Sequence, residues 1–285
     1  MSNSVHTNVG AMVALQNLNT TSRDLNVAQN RISTGFKVAT AKDNGATYNI
    51  AQNQRSENLA YDAVSEGLYR AKSIADVALA AGTALSDLFT SMRQHALAAS
   101  DTSISAVSRK AYDDDFKALR DQVPSIIANA VFDGANILGG GSDLEFLANS
   151  TASEKITLPT LDLRLATGAG TTPAVPAADV YVGATSDLST AALAATSRDQ
   201  VVASLNYINS ELARLGATAK RIDNHAIFVS KLQDAITSGI GNMVDADLAK
   251  ESARLQSLQV KQQLGTQALS IANQAPQGIL SLFRN

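Results

Sequence analysis

The chain contains 285 residues, carries a formal net charge of −3 and has no cysteine. The lack of cysteine excludes a disulfide framework, thiolate zinc sites and cysteine catalysis, and the small negative charge gives no electrostatic reason to bind nucleic acid or acidic lipid. With no tryptophan and only 5% aromatic residues, the core has to be built from Leu, Ile, Val and Ala, which favours helices over β-sandwiches or barrels.

No part of the sequence is predicted to cross a membrane. Polar residues break every apolar stretch well before the ~20 residues that a span requires. The first basic residue is Arg23, so the N-terminus lacks the basic region of a cleaved secretory signal. Taken alone, these features predict a cytoplasmic protein.

The first predicted element is a helix near the N-terminus, where apolar residues recur at spacings of three and four. Polar residues interrupt this stripe, which is too narrow to offset the entropy of ordering an isolated helix. We therefore expect the helix to need a partner. Its apolar anchors are Leu15, Leu18, Leu25 and Ile32.

Two longer segments, 64–96 and 201–236, keep a 3.5-residue apolar period throughout. This period predicts coiled-coil seams, because it holds one apolar stripe against a partner helix. We therefore predict a mainly α fold, built as an elongated antiparallel coiled-coil rod with a small β-hairpin region. The predicted seam residues are Val64, Leu68, Leu85, Phe89, Leu205, Ile208, Leu212, Leu215, Ile222 and Val229.

A third helix is predicted over 103–130, with Pro124 expected to kink it or loosen one turn. The consecutive carboxylates at 113–115 cannot converge on one metal ion from a helix, because successive side chains point about 100° apart. We therefore interpret them as a solvated helix surface.

The composition changes at the three glycines of 139–141. The alternation of leucine with polar residues over 161–165 predicts a half-buried strand, with Leu144–Phe146 as its shorter partner and a turn over 148–153 between them. The Ala-, Thr- and Gly-rich stretch 166–187 is predicted to be an exposed loop.

The last predicted element is a C-terminal helix with a narrow stripe of the same period. Asp245 and Asp247 precede it, where carboxylates satisfy free amides and the helix dipole. We expect this stripe to face that of the N-terminal helix, within one chain or between neighbouring copies. Its anchors are Leu248, Leu255, Leu258, Leu269, Ala272, Leu280 and Leu282.

Catalytic chemistry is not predicted. The sequence contains no His-Glu-x-x-His zinc motif, no nucleophile and base pair can be assembled, and no cofactor or metal site is expected. His225 is interpreted as a contact on the flank of the second seam helix.

Both ends of the chain carry long motifs. The N-terminal motif runs from Arg31 to Ala46 and reads Arg-Ile-Ser-Thr-Gly-Phe-Lys-Val-Ala-Thr-Ala-Lys-Asp-Asn-Gly-Ala. The C-terminal motif begins with Asp245–Glu251 and continues with Gln262–Gly265. The segment from Leu269 to Arg284 includes Ala-Asn-Gln-Ala-Pro-Gln and a Leu-Ser-Leu ending. These motifs resemble the two ends of bacterial flagellins, and the resemblance covers roughly 1–140 and 197–285. The pattern is similar to the short flagellins of alphaproteobacteria.

The resemblance implies a structural subunit of the bacterial flagellar filament, outside the cell and exported unfolded through the flagellar type III route without a cleaved signal. It implies a homopolymer or mixed polymer of flagellins, with an export chaperone, the filament cap and the hook–filament junction proteins as partners. The implied regions are an inner-core helix with its spoke loop (1–45), rod helices (46–138), a β-hairpin with a variable exposed loop (139–196), a second rod helix (197–242) and a C-terminal inner-core helix (243–285).

Two alternatives from other classes stay open at the level of the sequence. A soluble coiled-coil adaptor would share the heptad pattern, but it has no need for the long C-terminal motif and would stop at small oligomers. A hook–filament junction protein would share the terminal helices, although such proteins usually lack the Ala-Asn-Gln-x-Pro-Gln ending.

Overall fold

The computed structural model describes residues 7–166 and 180–282, with side chains as far as residue 274. Five helices and four short strands occur in these residues, so the predicted mainly helical fold with a small β-hairpin is confirmed. No described helix combines the length and hydropathy needed to cross a membrane. The elements in chain order are α1 (Val9–Thr34), α2 (Gly45–Ala99), α3 (Ala106–Asn129), β1 (Leu144–Leu147), β2 (Lys155–Leu158), β3 (Leu165–Ala166), β4 (Val180–Gly183), α4 (Ala191–Val244) and α5 (Leu248–Leu282).

The chain divides into two compact units. The first comprises Met1–Glu57 with Asp234–Asn285, and the second comprises Asn58–Gln233. The first unit contains α1, α5 and the adjoining ends of α2 and α4. The second contains the remainder of α2 and α4 together with α3 and the strands.

The core of the second unit follows the two predicted seams. Eight of the ten predicted seam residues are buried, and Leu205 and Leu212 are half-buried. An ion pair between Lys72 and Asp223 links α2 to α4. The eight buried seam residues are Val64, Leu68, Leu85, Phe89, Ile208, Leu215, Ile222 and Val229.

Leu212 packs where α2 has no side chain. A Cβ added to Gly82 would lie 2.2 Å from Cδ2 of Leu212, which is closer than any real contact. The glycine therefore lets the leucine of α4 enter the surface of α2, in the manner of a knob entering a hole.

We expect Gly82→Ala to destabilise the second unit by up to about 1 kcal/mol, because the overpacking of Leu212 outweighs the gain in helix propensity. Adding Leu212→Ala should recover part of that loss, since the truncated side chain frees the space. Thermal unfolding of both single variants and the double variant measures the coupling. Additive effects of the two substitutions would contradict this packing.

Leu205 marks a local departure from the predicted seam. The fully buried position next to it belongs to Ser204, whose Oγ accepts hydrogen bonds from the backbone N–H groups of Tyr181 (2.9 Å) and Val182 (3.2 Å). A hydroxyl is needed here because the backbone of β4 would otherwise bury unpaired donors.

The predicted hairpin has the correct first strand and turn but the wrong second strand. β1 pairs antiparallel with β2, so that Leu144 opposes Leu158 and Leu147 opposes Lys155. Leu161 and Leu163 are buried as predicted, but they lie in a connection whose amides donate to the carbonyls of Ile137 and Leu138. Leu165 belongs to the separate strand β3.

The prediction of an exposed loop over 166–187 is wrong in its last third. Val180–Gly183 forms β4, parallel to β3, and Val180 and Val182 are fully buried. Residues 167–179 of this prediction lie outside the described residues. A short strand rich in valine can bury its side chains only once a helix covers it, here the face of α4 that carries Ser204.

The interpretation of the 113–115 carboxylates is also wrong for its first member. α3 places Asp113 in a buried position. The helix itself continues without interruption through Pro124. One carboxylate oxygen of Asp113 accepts the N–H of Leu188 at 2.7 Å and the other accepts Nζ–H of Lys117 at 2.6 Å. Asp113 therefore fixes the segment that leads into α4.

The pKa of Asp113 depends on two opposed effects. Burial favours the neutral acid, but the hydrogen bonds from Lys117 and from the Leu188 amide outweigh it and hold the pKa of Asp113 below its ordinary value. A depressed pKa stabilises the fold fully above the unfolded value of about 3.9. That stability is lost as the pH falls through the lower folded-state pKa.

We therefore expect Asp113→Asn to lower stability at neutral pH by about 1–3 kcal/mol, through loss of its charge-assisted hydrogen bonds. The difference between the two proteins should shrink as the pH falls below about 4. Urea unfolding at several pH values tests this. A gap that is unchanged across the acid range would contradict the assignment.

Candidate assembly interface

The terminal helices α1 and α5 pack against each other as an antiparallel pair in the first unit. Leu25, Ala28 and Leu258 form a buried cluster, with Leu255 packed against it. At Gly265 a Cβ would lie 3.2 Å from Cδ1 of Leu18, so the small residue allows the two helices to approach closely. The two terminal stripes thus meet within one chain at their central anchors.

The other predicted anchors differ in their burial. Ile32, Leu269 and Ala272 are half-buried, whereas Leu15 and Leu248 are 47% and 49% exposed. Their packing between neighbouring copies stays a prediction. Leu280 and Leu282 lie outside the residues whose side chains are described.

Polar contacts fix the register of the pair near both ends. Nδ2 of Asn8 donates to the carbonyl of Ala272 at 2.7 Å, and its Oδ1 caps α1 by accepting the N–H of Ala11. At the other end Nη1 of Arg31 donates to Oε1 of Glu251 at 2.9 Å. Glu251 is only 9% exposed, and Arg31 is the cation that compensates its carboxylate.

We expect Glu251→Ala to destabilise the α1–α5 pair by about 1–3 kcal/mol, because it leaves the Arg31 guanidinium half-buried without its carboxylate. The double variant with Arg31→Met should lose less than the two single variants together, since it removes both charges. Hydrogen exchange of α1 amides in the assembled protein, where α1 and α5 are paired, measures the stability of the pair. Equal protection in the wild type and in Glu251→Ala would show that the ion pair is dispensable.

The loop 35–44 connects α1 to α2 and is attached to the end of α4. Gly35 ends α1 in a left-handed conformation (φ 75°), and its carbonyl accepts the N–H of Ala246. The amides of Lys37 and Val38 donate to the carbonyl of Val244 at 2.7 and 3.2 Å. The Ser-Thr-Gly part of the N-terminal motif therefore serves to turn the chain onto α4.

Val38 also carries this loop into the apolar core of the first unit. It clusters with Ala51 of α2 and with Ile240 and Val244 of α4, and Tyr48 packs against the group. This cluster, called here the loop cluster, explains why an apolar residue stands within a basic segment.

Carboxylates shape both turns of the motifs. Oδ2 of Asp43 accepts hydrogen bonds from the backbone N–H groups of Ala39 and Thr40 and from the hydroxyl of Thr40. These hydrogen bonds hold the pKa of Asp43 below its usual value, and the bond from the Thr40 N–H has the largest effect. Asp247 accepts the amides of Ala249 and Lys250 at 3.0 and 3.1 Å. Its predicted role at the start of α5 is confirmed.

A second set of apolar side chains on α1 and α5 is exposed in the described chain. Its members are 4, 7 or 14 residues apart, and they lie roughly 200–240° around each helix from the buried seam, at 100° per residue. The set, called here the exposed apolar stripes, is Val9, Val13 and Val27 on α1 and Val260, Leu264 and Ile271 on α5.

The exposed apolar stripes were not predicted from the sequence. Leu264 is 58% and Ile271 69% exposed, and large apolar side chains that share one exposed helix face are candidates for an interaction site. Their recurrence on one helix face, away from the seam, is the sequence signal that predicts them. A helix that is apolar on two faces needs neighbours on both.

His225 and the hairpin belong to the second unit. The Nε2 atom of His225 lies 2.7 Å from the carbonyl oxygen of Ala148, so the predicted flank position is occupied by a contact with the β1–β2 turn. Among the described residues no group of three or more His, Asp or Glu side chains could hold a metal ion.

Both terminal regions of the chain are similar to those of known proteins. Residues 5–143 match the bacterial flagellin N-terminal helical region, and residues 199–283 match the bacterial flagellin C-terminal helical region. Flagellin FljO of Caulobacter vibrioides is 50% identical over 284 residues and covers 99% of both chains. A flagellin of Brucella melitensis is 35% identical over 288 residues, which is 99% of both chains.

One solved structure has the same fold at low identity. A putative flagellar hook-associated protein from Vibrio parahaemolyticus aligns with a TM-score of 0.52 and 15% identity, and the alignment covers 71% of this chain and 100% of that chain. At this identity the likeness concerns the fold alone.

Proposed function

Because this chain belongs to the bacterial flagellin family, we propose that it polymerises through α1 and α5 into the flagellar filament, as a structural subunit with no catalytic role. The observation that carries this proposal is the pair of exposed apolar stripes, which lie on the faces of α1 and α5 that do not face each other. One face of each helix holds the chain together. The other face is available to neighbouring copies, which are the partners that flagellins assemble with.

The geometry suits an interface that propagates. The stripes of α1 and α5 differ in residues and spacing, so a contact between them on neighbouring copies joins two different surfaces. Such a heterologous contact adds subunits without closing a small ring when the rotation does not close. The exposed Leu15 and Leu248 extend the apolar surface beyond the two stripes.

Folding of the terminal helices is proposed to be coupled to assembly. In α1 only Leu25 and Ala28 are buried, which is too little apolar burial to offset the ordering of 26 residues in isolation. We therefore propose that the ends are disordered in the free monomer and fold on docking. Coupling of this kind opposes premature polymerisation, because docking has to supply the ordering free energy.

Export and the remaining partners follow from the same proposal. The chain would leave the cell unfolded through the flagellar type III route to reach the extracellular filament. Its partners would then include an export chaperone, the filament cap and the hook–filament junction proteins, as well as flagellins of the same or related sequence.

Electron microscopy of purified protein tests the proposed function. Full-length chain concentrated with a precipitating salt should grow long filaments, and these should dissociate to monomers on heating. Small oligomers of fixed size under all conditions would instead identify a soluble coiled-coil adaptor and would overturn the proposal.

A further inference from the structure

We propose that Asn44 is a site of spontaneous deamidation that the fold controls: the side chain is protected while it caps α2, and it reacts when the capping turn opens. Asn44 precedes Gly45, and this is the one Asn-Gly pair in the sequence. Both residues are exposed. Asparagine is among the thermolabile residues of proteins, and its lability depends on the residue that follows.

The reaction needs only water as co-reactant. The backbone nitrogen of Gly45 loses its proton to solvent base and attacks Cγ of Asn44, forming a five-membered succinimide while the side-chain nitrogen leaves as ammonia. Water then opens either imide bond and gives aspartate or isoaspartate. The net change is one water consumed and one ammonia released.

Gly45 leaves this nitrogen accessible. A Cβ built on Gly45 would meet no other atom within 4 Å, so solvent surrounds the peptide bond on the side where a side chain would stand. Any other residue at this position would shield the attacking nitrogen with its own Cβ.

The folded turn opposes ring closure. Oδ1 of Asn44 accepts the N–H of Thr47 at 3.1 Å, and its main-chain carbonyl accepts the N–H of Tyr48 at 2.9 Å. The first bond holds the side chain in its capping position on the first turn of α2, and the second fixes the backbone beside the Gly45 nitrogen. Both bonds have to break before Cγ can approach that nitrogen.

Isoaspartate at this position would damage the start of α2. It adds one methylene to the main chain and removes the capping oxygen from its place, so the first turn loses its cap. Tyr48 lies in that turn and packs against the loop cluster. Chains that have been open at this turn would therefore carry a lasting defect in the attachment of the loop.

The test incubates the full-length chain at mildly alkaline pH, once in native buffer and once in denaturing urea. Mass spectrometry and an isoaspartate assay then follow the peptide that contains Asn44. We expect the reaction to be at least about fivefold slower in native buffer, the factor that corresponds to a capping free energy of about 1 kcal/mol. Equal rates in both conditions would overturn the protective role of the cap. Absence of isoaspartate in urea would overturn the site itself.

Two variants keep the test independent of unfolding. Gly45→Ala meets no steric obstacle and should fold normally, yet it should react several-fold more slowly than the wild type in urea. Asn44→Ser keeps a capping oxygen and has no amide to lose, so its peptide should show no change in mass. Reaction of Gly45→Ala at the wild-type rate in urea would overturn the role assigned to the glycine.

Discussion

Replacing Leu264 by glutamate is expected to abolish filament growth while leaving the monomer folded. Leu264 is 58% exposed on the side of α5 that does not face α1, so the substitution removes little packing within the chain. In a filament the same position would be buried. Loss of the leucine forfeits about 1.5–3 kcal/mol of apolar burial at each interface, and an unpaired carboxylate there adds a desolvation penalty.

Gln259→Glu is the matched control for this experiment. It adds the same charge to an exposed position of the same helix, about 100° from the buried seam and well away from the exposed apolar stripe. Light scattering and electron microscopy should show filaments for Gln259→Glu and none for Leu264→Glu, with equal helicity by circular dichroism. Normal filaments from Leu264→Glu would show that this stripe is not the assembly surface.

The second large effect is expected on removal of residues 248–285. This truncation deletes α5 and with it Leu255 and Leu258, which pack against Leu25 and Ala28 of α1. Polymerisation should be lost completely, because one exposed apolar stripe is gone and α1 has no partner left. The seam of the second unit, Asn58–Gln233, contains none of the deleted residues and should keep its unfolding transition.

Circular dichroism melting and light scattering of the truncated and full-length chains separate these effects. A truncated chain that still grows long filaments would refute the assembly role of α5. Loss of the melting transition of the second unit would show that the terminal helices contribute to the fold of the monomer, which would contradict their proposed disorder before assembly. Retained melting with no filaments is the expected result.

Local spacing was enough to predict the helices. The 3.5-residue apolar period and the caps depend on neighbours a few residues apart, so the seam around Ile208 of α4 can be identified without knowing the partner helix. The same holds for Asp247, whose capping bonds reach residues two and three positions away. The terminal motifs likewise predicted the family.

The strands and the buried polar groups needed tertiary information. Segments 155–158 and 161–165 both alternate apolar and polar residues, and only the packing of the hairpin decides which one pairs with β1. Asp113 looks like a surface carboxylate in sequence because the amide that donates to it belongs to Leu188, 75 residues away. Ser204 is buried for the same reason, since β4 supplies its donors.

One physical reason separates what the amino-acid sequence determined from what the tertiary structure decided. Hydrophobic period and helix capping are properties of a short stretch of chain, and the amino-acid sequence determined them directly: the helices, their seams and the turn residues at their ends. Which side of α1 and α5 is covered within the chain, and which is left for a neighbour, depends on where the two helices meet. Only the tertiary structure decided that, by burying Leu258 and leaving Leu264 exposed.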